Sequence, residues 1–338
     1  MAGLAQATAP VLVTGGAGYI GSHAVLALQD AGVPVVVVDD LSNGSRAAVP
    51  GGVPLEVADI ADSEALATIL ARHCVTDVMH FAGSVRVDES VSDPLKYYRN
   101  NTAASLAFVR TCLAAGVRRF IFSSTAAVYG APETATVTEE SPLQPINPYG
   151  WSKRMTEQML VDLAAAGAAL LVAMLRYFNV AGADPAGRAG QRNRNATHLI
   201  HVASQVANGQ RPHLDMFGTD YDTPDGTCVR DYIHVMDLAE AHVAMLDHLY
   251  RTDRSPLIFN CGYGRGYSVR EVVAAIRSVT GADLPVKEVG RRAGDPPSLI
   301  SDCRALGREI DWQPRYDKLE TIIETAVAWQ QKLAQSVS

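Results

Sequence analysis

The chain has 338 residues, of which 48% are hydrophobic and 19% are charged, and its formal net charge is −7. This length predicts two lobes rather than one core, and the composition is typical of a folded globular protein, which argues against disorder. Because an acidic chain repels nucleic acid and anionic membranes overall, we expect neither as a partner, and any phosphate-binding site must be a local basic pocket.

Apolar runs and helical patterns alternate through the first half of the chain. We expect strands at 11–14, 35–39, 78–81, 120–122 and 169–176, and helices at 21–31, 62–73, 100–115 and 149–166. Continuous apolar strands that alternate with helices are typical of a parallel sheet covered on both faces. The pattern therefore predicts an α/β, doubly wound parallel sheet, the Rossmann fold.

The second half of the chain lacks the regular alternation of apolar strands and helices. Residues 181–196 lack periodicity and predict a loop, and a helix is expected at 237–250 with Asp237 as its N-cap. We predict a Rossmann domain over 1–180, with returning segments near 228–262, and a smaller mixed α/β substrate lobe over 181–338.

A glycine-rich loop joins the first strand to the first helix. Gly15, Gly18 and Gly21 form GxxGxxG, which allows a tight turn and the approach of backbone amides to a pyrophosphate at a helix N-terminus. Asp39 ends the next strand, where a carboxylate can accept hydrogen bonds from the adenosine ribose and repels a 2′-phosphate. A second aspartate follows, and no arginine precedes Arg46. These features predict NAD rather than NADP as the cofactor.

A second group of residues has the character of a catalytic site. Tyr149 and Lys153 form YxxxK on a predicted helix, where positions i and i+4 share one face. One positive charge about 4 Å from a phenol, at an effective dielectric near 20, supplies about 4 kcal/mol, enough to lower its pKa by ~3 units. Ser123, Ser124 and Thr125 end a predicted strand, where ligands bind in such sheets. A hydroxyl there can relay a substrate proton to the tyrosine.

Several other kinds of site are not expected. The cysteines are widely and irregularly spaced, without a CxxC pair, which favours reduced thiols over a zinc site or disulfides: Cys74, Cys112, Cys228, Cys261 and Cys303. His80, His234 and His242 also lack metal spacing, so we expect core or capping roles and no metal. Residues 1–9 do not resemble a signal peptide, and no apolar run reaches about 20 residues. We therefore expect a cytoplasmic protein.

With these motifs the chain resembles the extended short-chain dehydrogenase/reductase family, and within it the branch of UDP-glucose 4-epimerases. The likeness runs from about residue 11 to 329 and rests on TGGAGYIGSH (14–23), HFAG (80–83), YYRNNT (97–102), FSSTAAVYG (122–130), NPYGWSK (147–153), LRYFNVAGA (175–183), DGTCVRDYIHVMDLA (225–239) and RRAGDPPSLISD (291–302). The resemblance implies that retained NAD interconverts UDP-glucose and UDP-galactose. The sugar would be oxidised to a transient 4-keto form, rotate, and be reduced on the opposite face.

The resemblance also implies roles for individual residues. Thr125 would be the catalytic hydroxyl, Tyr149 the base and Lys153 the anchor of the nicotinamide ribose. Cofactor contacts are expected from Gly15, Gly18, Tyr19, Ile20, Gly21, Asp39, Asn43, Asp59, Ile60, Phe81, Ala82, Gly83, Asn100, Ser123, Ser124, Tyr149, Lys153 and Tyr177. Substrate contacts are expected from Thr125, Tyr149, Asn179, His198, Leu199, Phe217, Arg230, Arg292, Asp295 and Leu299. For Asp59, a plain position before a helix is an equally good interpretation.

Some positions depart from the family pattern. Val85, followed by Arg86, stands where the family often has a lysine, and 197–199 replaces paired asparagines. Leu299 stands where some members have a bulky tyrosine beside the sugar pocket, so we hypothesise some tolerance for N-acetylated sugars.

Other functions remain as alternatives. Ala126 and Ala127 occupy positions where related dehydratases carry an Asp-Glu pair, and alanines cannot transfer protons, so dehydration is disfavoured. Epimerisation of a UDP-pentose or UDP-uronate and an inactive NAD-binding protein stay open. By analogy we expect a homodimer, because helices 100–115 and 149–166 carry many Ala and Leu residues suited to a four-helix interface. They could equally be ordinary helices that cover the sheet.

Overall fold

The computed structural model describes Leu4 and residues 9–193, 196–292 and 294–335. Within these ranges, none of the helices has the length and apolar character that crossing a membrane requires.

The larger sheet is built from seven parallel strands: β1 (Val11–Thr14), β2 (Val35–Asp39), β3 (Leu55–Val57), β4 (Asp77–His80), β5 (Arg119–Thr125), β7 (Leu171–Tyr177) and β11 (Leu257–Cys261). Their order is β11–β7–β5–β4–β1–β2–β3. The chain runs outward in one direction from β1 to β3 and in the other from β4 to β11. The strand order therefore reverses between β1 and β4, which makes the crevice at their carboxyl ends the expected ligand site. The predicted doubly wound parallel sheet is confirmed.

Helices cover both faces of this sheet: α1 (Tyr19–Asp30), α2 (Ser63–Arg72), α5 (Ala104–Ala114), α6 (Pro148–Ala165) and α8 (Val235–Leu249). Two short helices, α3 (Val87–Ser92) and α4 (Pro94–Tyr97), pack against α6. Alternate residues of each strand face opposite sides. One set packs against α1 and α8, and the other packs against α2, α5 and α6. A π-helical segment, Tyr98–Ala103, joins α4 to α5, and such segments often lie at functional sites.

The smaller lobe has mixed α/β structure. Its strands are β6 (Thr136–Val137), β8 (Asn179–Ala181), β9 (Leu214–Phe217), β10 (Val229–His234), β12 (Gly266–Ser268), β13 (Val286–Val289) and β14 (Ser298–Ser301). Strand β10 pairs in parallel with β8 and β14 and antiparallel with β12, while β9 and β13 form a separate pair. The remaining helices are α7 (Leu199–Ala207), α9 (Val269–Thr280), α10 (Arg304–Glu309) and α11 (Leu319–Gln335). Helices α7, α9 and α11 share one apolar core.

The predicted N-cap at Asp237 is wrong. Helix α8 begins at Val235, and its cap is His234, whose Nδ1 accepts the N–H of Met236 at 3.1 Å. The buried carboxylate of Asp237 instead accepts the N–H groups of Arg315 and Tyr316, both at 2.9 Å. Asp237 therefore fixes a distant loop against α8, a contact that local sequence does not reveal.

Candidate functional site

A cavity of about 830 Å³ opens at the carboxyl ends of the central strands and extends to the smaller lobe. Most of the predicted site residues line it: Gly15, Gly18, Tyr19, Ile20, Gly21, Asp39, Asn43, Asp59, Ile60, Phe81, Ala82, Gly83, Asn100, Thr125, Tyr149, Tyr177, Asn179, His198, Arg230, Asp295 and Leu299. Positions spread over nearly 300 residues are thus brought to one crevice.

The glycine loop is too tightly packed for side chains at two of its positions. Gly15 has φ +69°, and a Cβ on it would lie 2.7 Å from the backbone nitrogen of Ala82. A Cβ on Gly21 would lie 2.1 Å from the carbonyl oxygen of Gly15. Gly18 is the N-cap of α1 and offers no side-chain cap to its first turn. The loop therefore has the shape and exposed backbone amides that a pyrophosphate requires.

Asp39 closes the adjacent wall and is 7% exposed. Its Oδ2 accepts the N–H of Ala17, and its Oδ1 accepts the N–H of Leu41, both at 2.9 Å. Burial raises the pKa of this carboxyl, and the two backbone hydrogen bonds oppose that rise. A carboxylate has about four acceptor positions, so two remain for ribose hydroxyls. The carboxylate fits an NAD ribose and is unfavourable to a 2′-phosphate.

Helix α6 carries the tyrosine and the lysine, and its start is well defined. Asn147 is the N-cap, and its Oδ1 accepts the N–H of Gly150 at 2.8 Å. Lys153, one turn after Tyr149, is buried, and its Nζ donates to the carbonyl oxygen of Ser123 at 3.0 Å. The hydroxyl of Thr125 hydrogen-bonds Tyr149 at the cavity wall. The helix is thus fastened to the end of β5, where the hydroxyl, phenol and ammonium groups gather.

The electrostatics of this group differ from the sequence-based expectation. Burial raises the pKa of Tyr149, and the hydrogen bond from Thr125 opposes this only in part. Burial lowers the pKa of Lys153 to about 8, against the charge of Glu157, which raises it. The loss of hydration at Tyr149 therefore outweighs the effect that we assigned to the lysine charge. The phenol is neutral at pH 7 and requires a further positive charge to act as a base.

The three hydroxyls at the end of β5 do not all face the cavity. Ser123 donates to the hydroxyl of Tyr177 at 2.7 Å, just behind the wall. Ser124 points to the opposite side of the sheet, where its hydroxyl donates to Glu157 Oε1 at 2.6 Å. The side chain of Ser124 therefore faces away from the cavity, because successive strand residues point in opposite directions, and the predicted contact of this residue with the cofactor stays a prediction.

On the substrate side, one ion pair lies in the cavity wall. Arg230 Nη2 is 3.6 Å from Asp295 Oδ1, with 11% and 32% of the two side chains exposed. Leu299 is 7% exposed and packs in an apolar cluster with Ala126 and Phe178. Burial and the charge of Arg292 lower the pKa of His198, which is therefore neutral at pH 7.

Three predicted substrate residues do not form part of the cavity wall. Leu199 begins α7 and packs against the core of the smaller lobe. Arg292 stacks on Phe217, with 4.1 Å between the guanidinium carbon and the ring centre. In this arrangement these three side chains pack against protein rather than face the cavity.

Some polar residues of the wall were missed by sequence reasoning: Lys96, Arg99, Asn147, Gln191 and Asn193. Lys96 donates to Glu89 at 2.7 Å, and Arg99 donates to the side-chain oxygen of Asn100 at 3.3 Å. Arg99 directly precedes Asn100 within the YYRNNT segment, and Lys96 directly precedes that segment. Asn147 precedes a proline as N-caps often do, so these three had a readable signal. Gln191 and Asn193 lie in a loop without a pattern.

The position that departs from the family lysine also lies in the wall. Val85 and Arg86 both line the cavity. The guanidinium of Arg86 pairs with Asp88 at 2.5 Å, and both side chains are 43% exposed. Arg86 is therefore engaged by a neighbouring carboxylate at the rim.

The fold and the cavity at the carboxyl ends of its central strands define a class of nucleotide-binding enzymes with a doubly wound parallel sheet. The chain belongs to the NAD dependent epimerase/dehydratase family, whose model matches residues 11–262.

Individual relatives within this family are UDP-sugar epimerases. Over 327 residues the chain is 57% identical to a UDP-glucose 4-epimerase of Azospirillum brasilense, covering 97% of this chain and 93% of the relative. A UDP-glucose 4-epimerase structure from Stenotrophomonas maltophila, with bound NAD and formylated UDP-arabinopyranose, is 39% identical, with TM-score 0.93 and coverage of 97% and 99%. The UDP-Glc/GlcNAc 4-epimerase structure from Campylobacter jejuni is 45% identical, with TM-score 0.83 and coverage of 96% and 99%. These findings confirm the predicted family, NAD as cofactor and an NAD-dependent 4-epimerase.

Proposed function

We propose that the protein interconverts UDP-glucose and UDP-galactose by reversible oxidation at C4 of the sugar. The observation that carries this proposal is the grouping of Thr125, Tyr149 and Lys153 beside a cavity that continues to Arg230 and Asp295. Such a cavity can accommodate a dinucleotide and a nucleotide sugar end to end. The similarity to UDP-glucose 4-epimerases supports the same substrate pair.

Each group in the wall has one task in this reaction. Bound NAD supplies the hydride acceptor and donor. Tyr149, as the phenolate that the positive charge of oxidised nicotinamide would favour, takes the proton of the 4-hydroxyl, directly or through Thr125, and returns it after the keto sugar has turned. Lys153 holds the nicotinamide ribose. Arg230 binds the pyrophosphate, with Asp295 on the uridine ribose, so that UDP stays in place while the sugar rotates. No net oxidation results.

Each part of NAD is assigned to a separate group of residues. We propose that the glycine loop binds the NAD pyrophosphate, Asp39 the adenosine ribose and Asp59 the adenine edge. In domain terms, we propose that residues 1–180 with returning segments near 228–262 bind NAD and that 181–338 hold the UDP-sugar. Strands β6, β8 and β10 are exceptions to this division, because they pair in the sheet of the smaller lobe. Tyr177 would pack beside the nicotinamide.

The chemistry of the wall disfavours dehydration. Ala126 and Ala127 line the cavity next to Thr125, and their methyl groups neither donate nor accept protons. Elimination across the sugar needs such a pair. A second candidate substrate class is the UDP-N-acetylhexosamines, because Leu299 is small and packs back into an apolar cluster rather than presenting a bulky ring.

We also propose that the protein works as a homodimer in the cytoplasm, with a UDP-sugar as its ligand and neither nucleic acid nor membrane as a partner. Large apolar side chains are exposed on neighbouring helices α4, α5 and α6: Leu95, Leu106, Trp151 and Met155. Exposed apolar side chains on neighbouring helices favour self-association. All five cysteines are free thiols, as is usual in a reducing compartment. Light scattering at micromolar concentration tests this state, and a monomer would reject it.

The first experiment is product analysis after the purified protein is incubated with UDP-galactose and no added cofactor. Appearance of UDP-glucose without net NADH supports 4-epimerisation with retained NAD. If nothing is converted even with added NAD, the substrate proposal fails. UDP-pentoses and UDP-uronates are then the next substrates to test, and inertness towards all of them indicates a binding protein.

A further inference from the structure

A buried carboxylate lies one helical turn beyond Lys153, on the side of β5 that faces away from the cavity. Glu157 is fully buried on α6. Its Oε1 accepts the hydroxyl of Ser124 at 2.6 Å and the Nε of Arg176 at 2.9 Å. Its Oε2 accepts Nη2 of Arg176 at 2.8 Å. The carboxylate is therefore held by a two-pronged ion pair from β7 and by a hydroxyl from β5.

Arg176 extends this arrangement to other elements. It is 2% exposed, and its Nη1 donates to the hydroxyl of Tyr129 at 3.0 Å. The Tyr129 hydroxyl in turn donates to Asn260 on β11 at 2.6 Å. Burying such a pair costs several kcal/mol per ion, so ion pairs of this kind are weak evidence for stability. The ion pair and its hydrogen bonds do link α6, β5, β7 and β11, and so fix the positions of these elements relative to one another.

The geometry matters because α6 and β5 carry the candidate catalytic groups. Lys153 is bonded to the carbonyl oxygen of Ser123, and Glu157, four residues later, is bonded to the hydroxyl of the next strand residue, Ser124. A single bond between a helix and a strand still permits the helix to slide or turn. Two bonds, one helical turn apart, fix both its position and its rotation.

We propose that Glu157 is a positioning residue. It holds α6 in register with β5, so that Tyr149 and Lys153 on the helix keep their places relative to Thr125 on the strand. Glu157 does not reach the cavity and acts only through these groups. This inference rests on the proposed function of the site.

Two variants test it. Glu157→Gln keeps the volume and removes the charge, whereas Ser124→Ala removes the helix-to-strand bond and leaves the ion pair intact. We expect kcat with UDP-galactose to fall by about 10- to 100-fold in the first, because a misplacement of about 1 Å can cost that much. A smaller fall, about 3- to 10-fold, is expected in the second. KM for UDP-galactose and the bound NAD per subunit should stay near the wild-type values.

A matched control lies at the opposite end of the same strands. Asp77 is fully buried and accepts Arg119 Nη1 at 2.9 Å, and its other oxygen accepts the hydroxyl of Tyr250. Asp77→Asn therefore removes the charge of an equally buried carboxylate, in an ion pair whose arginine is 18% exposed, far from the carboxyl ends of the strands. It should lower stability while kcat of the folded protein stays within about twofold of wild type, since additivity holds for distant sites.

The pH dependence of kcat separates positioning from loss of fold. Burial lowers the pKa of Lys153 to about 8 and the charge of Glu157 opposes this. Tyr149, one turn before Lys153 on α6, is neutral because burial raises its pKa. His80 is also neutral, because burial holds its pKa at about 3. Arg176, the partner of Glu157, stays positive and acts in the same direction once the Glu157 charge is removed. Without the Glu157 charge, Lys153 loses its proton at lower pH. The alkaline fall of kcat should therefore move to lower pH in Glu157→Gln and return in Glu157→Asp, although kcat of the latter stays reduced.

The outcomes are distinguishable. A wild-type protein that does not convert UDP-galactose overturns the proposed function and this inference with it. An active wild type, with Glu157→Gln and Ser124→Ala matching Asp77→Asn in kcat and pH profile, overturns the positioning role alone. If Glu157→Gln does not fold, as judged by circular dichroism, Ser124→Ala decides: wild-type kcat rejects the inference, and a reduced kcat at unchanged KM supports it.

Discussion

Replacing Asp39 by alanine should deprive the protein of NAD while leaving it folded. The change removes the acceptors of two backbone N–H groups, those of Ala17 and Leu41. Ala17 is 2% exposed, so its unpaired donor costs about 1–3 kcal/mol. Leu41 has φ 60°, a left-handed conformation that costs about 1–2 kcal/mol and that the Asp39 bond helps to hold. Water can replace part of that second bond, so we expect a total loss of about 2–4 kcal/mol.

The same change should also weaken the binding of NAD. A hydrogen bond to a charged group contributes about 1.5–3 kcal/mol, so loss of one ribose contact weakens NAD binding by about 10- to 150-fold. NAD released by heating the purified protein measures retention, and urea unfolding measures stability. Asp40→Ala is the matched comparison within the same cavity wall, because Asp40 is exposed and bonds only its neighbour Ser42 among the described residues. If Asp39→Ala keeps a full complement of NAD, or Asp40→Ala loses as much, the assignment of Asp39 is refuted.

Three further predictions concern chemistry, pH and specificity. Tyr149→Phe removes the proposed base and should lower kcat by about 10²- to 10⁴-fold with NAD still bound; retention of more than a tenth of the activity in a stopped assay would count against that role. Leu299→Tyr adds bulk beside the sugar and should reduce turnover of UDP-N-acetylgalactosamine at least ~10-fold while sparing UDP-galactose; a wild type inert towards the acetylated sugar contradicts the premise. Stability should fall as pH drops below about 6.5, because buried histidines that stay neutral when folded gain protons on unfolding. Each such histidine lowers the free energy of unfolding by about 1.4 kcal/mol at pH 5.5. A urea midpoint that is equal at pH 7.5 and 5.5 would disprove this. Burial holds the pKa at about 3 or 4 in His23, His80, His201, His234 and His242.

Local patterns were sufficient for much of the fold. The first two strands begin and end at the predicted residues because each is a short apolar run bounded by turn residues. The fourth run was predicted as 120–122, but β5 extends over Arg119–Thr125. Its polar end is buried by partners from elsewhere in the chain, among them Tyr177 and Glu157. Strand length there depends on tertiary contacts that hydropathy does not register.

Local sequence patterns also predicted only part of the candidate site. Motifs could place Gly15 and Asp39 near one another, because one follows and the other ends a strand of the predicted sheet. The YxxxK spacing could mark Tyr149 at the start of a helix that follows the strand with the hydroxyls. These motifs could not show that Ser124 faces the far side of β5, since that depends on the register in which the strand enters the site. Nor could they show that burial dominates the pKa of Tyr149, because the degree of hydration is a property of the assembled lobes.

The strand order has a consequence for how the chain is made. Strand β11 lies beside β7, although the whole of 178–256 separates them in the chain. Until β11 has been synthesised, β7 presents a row of unpaired backbone groups and the apolar faces of Val172, Ala173 and Met174. An open edge of this kind readily pairs with another chain. The nascent protein therefore cannot complete its larger sheet before residue 261 leaves the ribosome, and a gene cut at the lobe boundary would encode a half that aggregates rather than a free-standing nucleotide-binding unit.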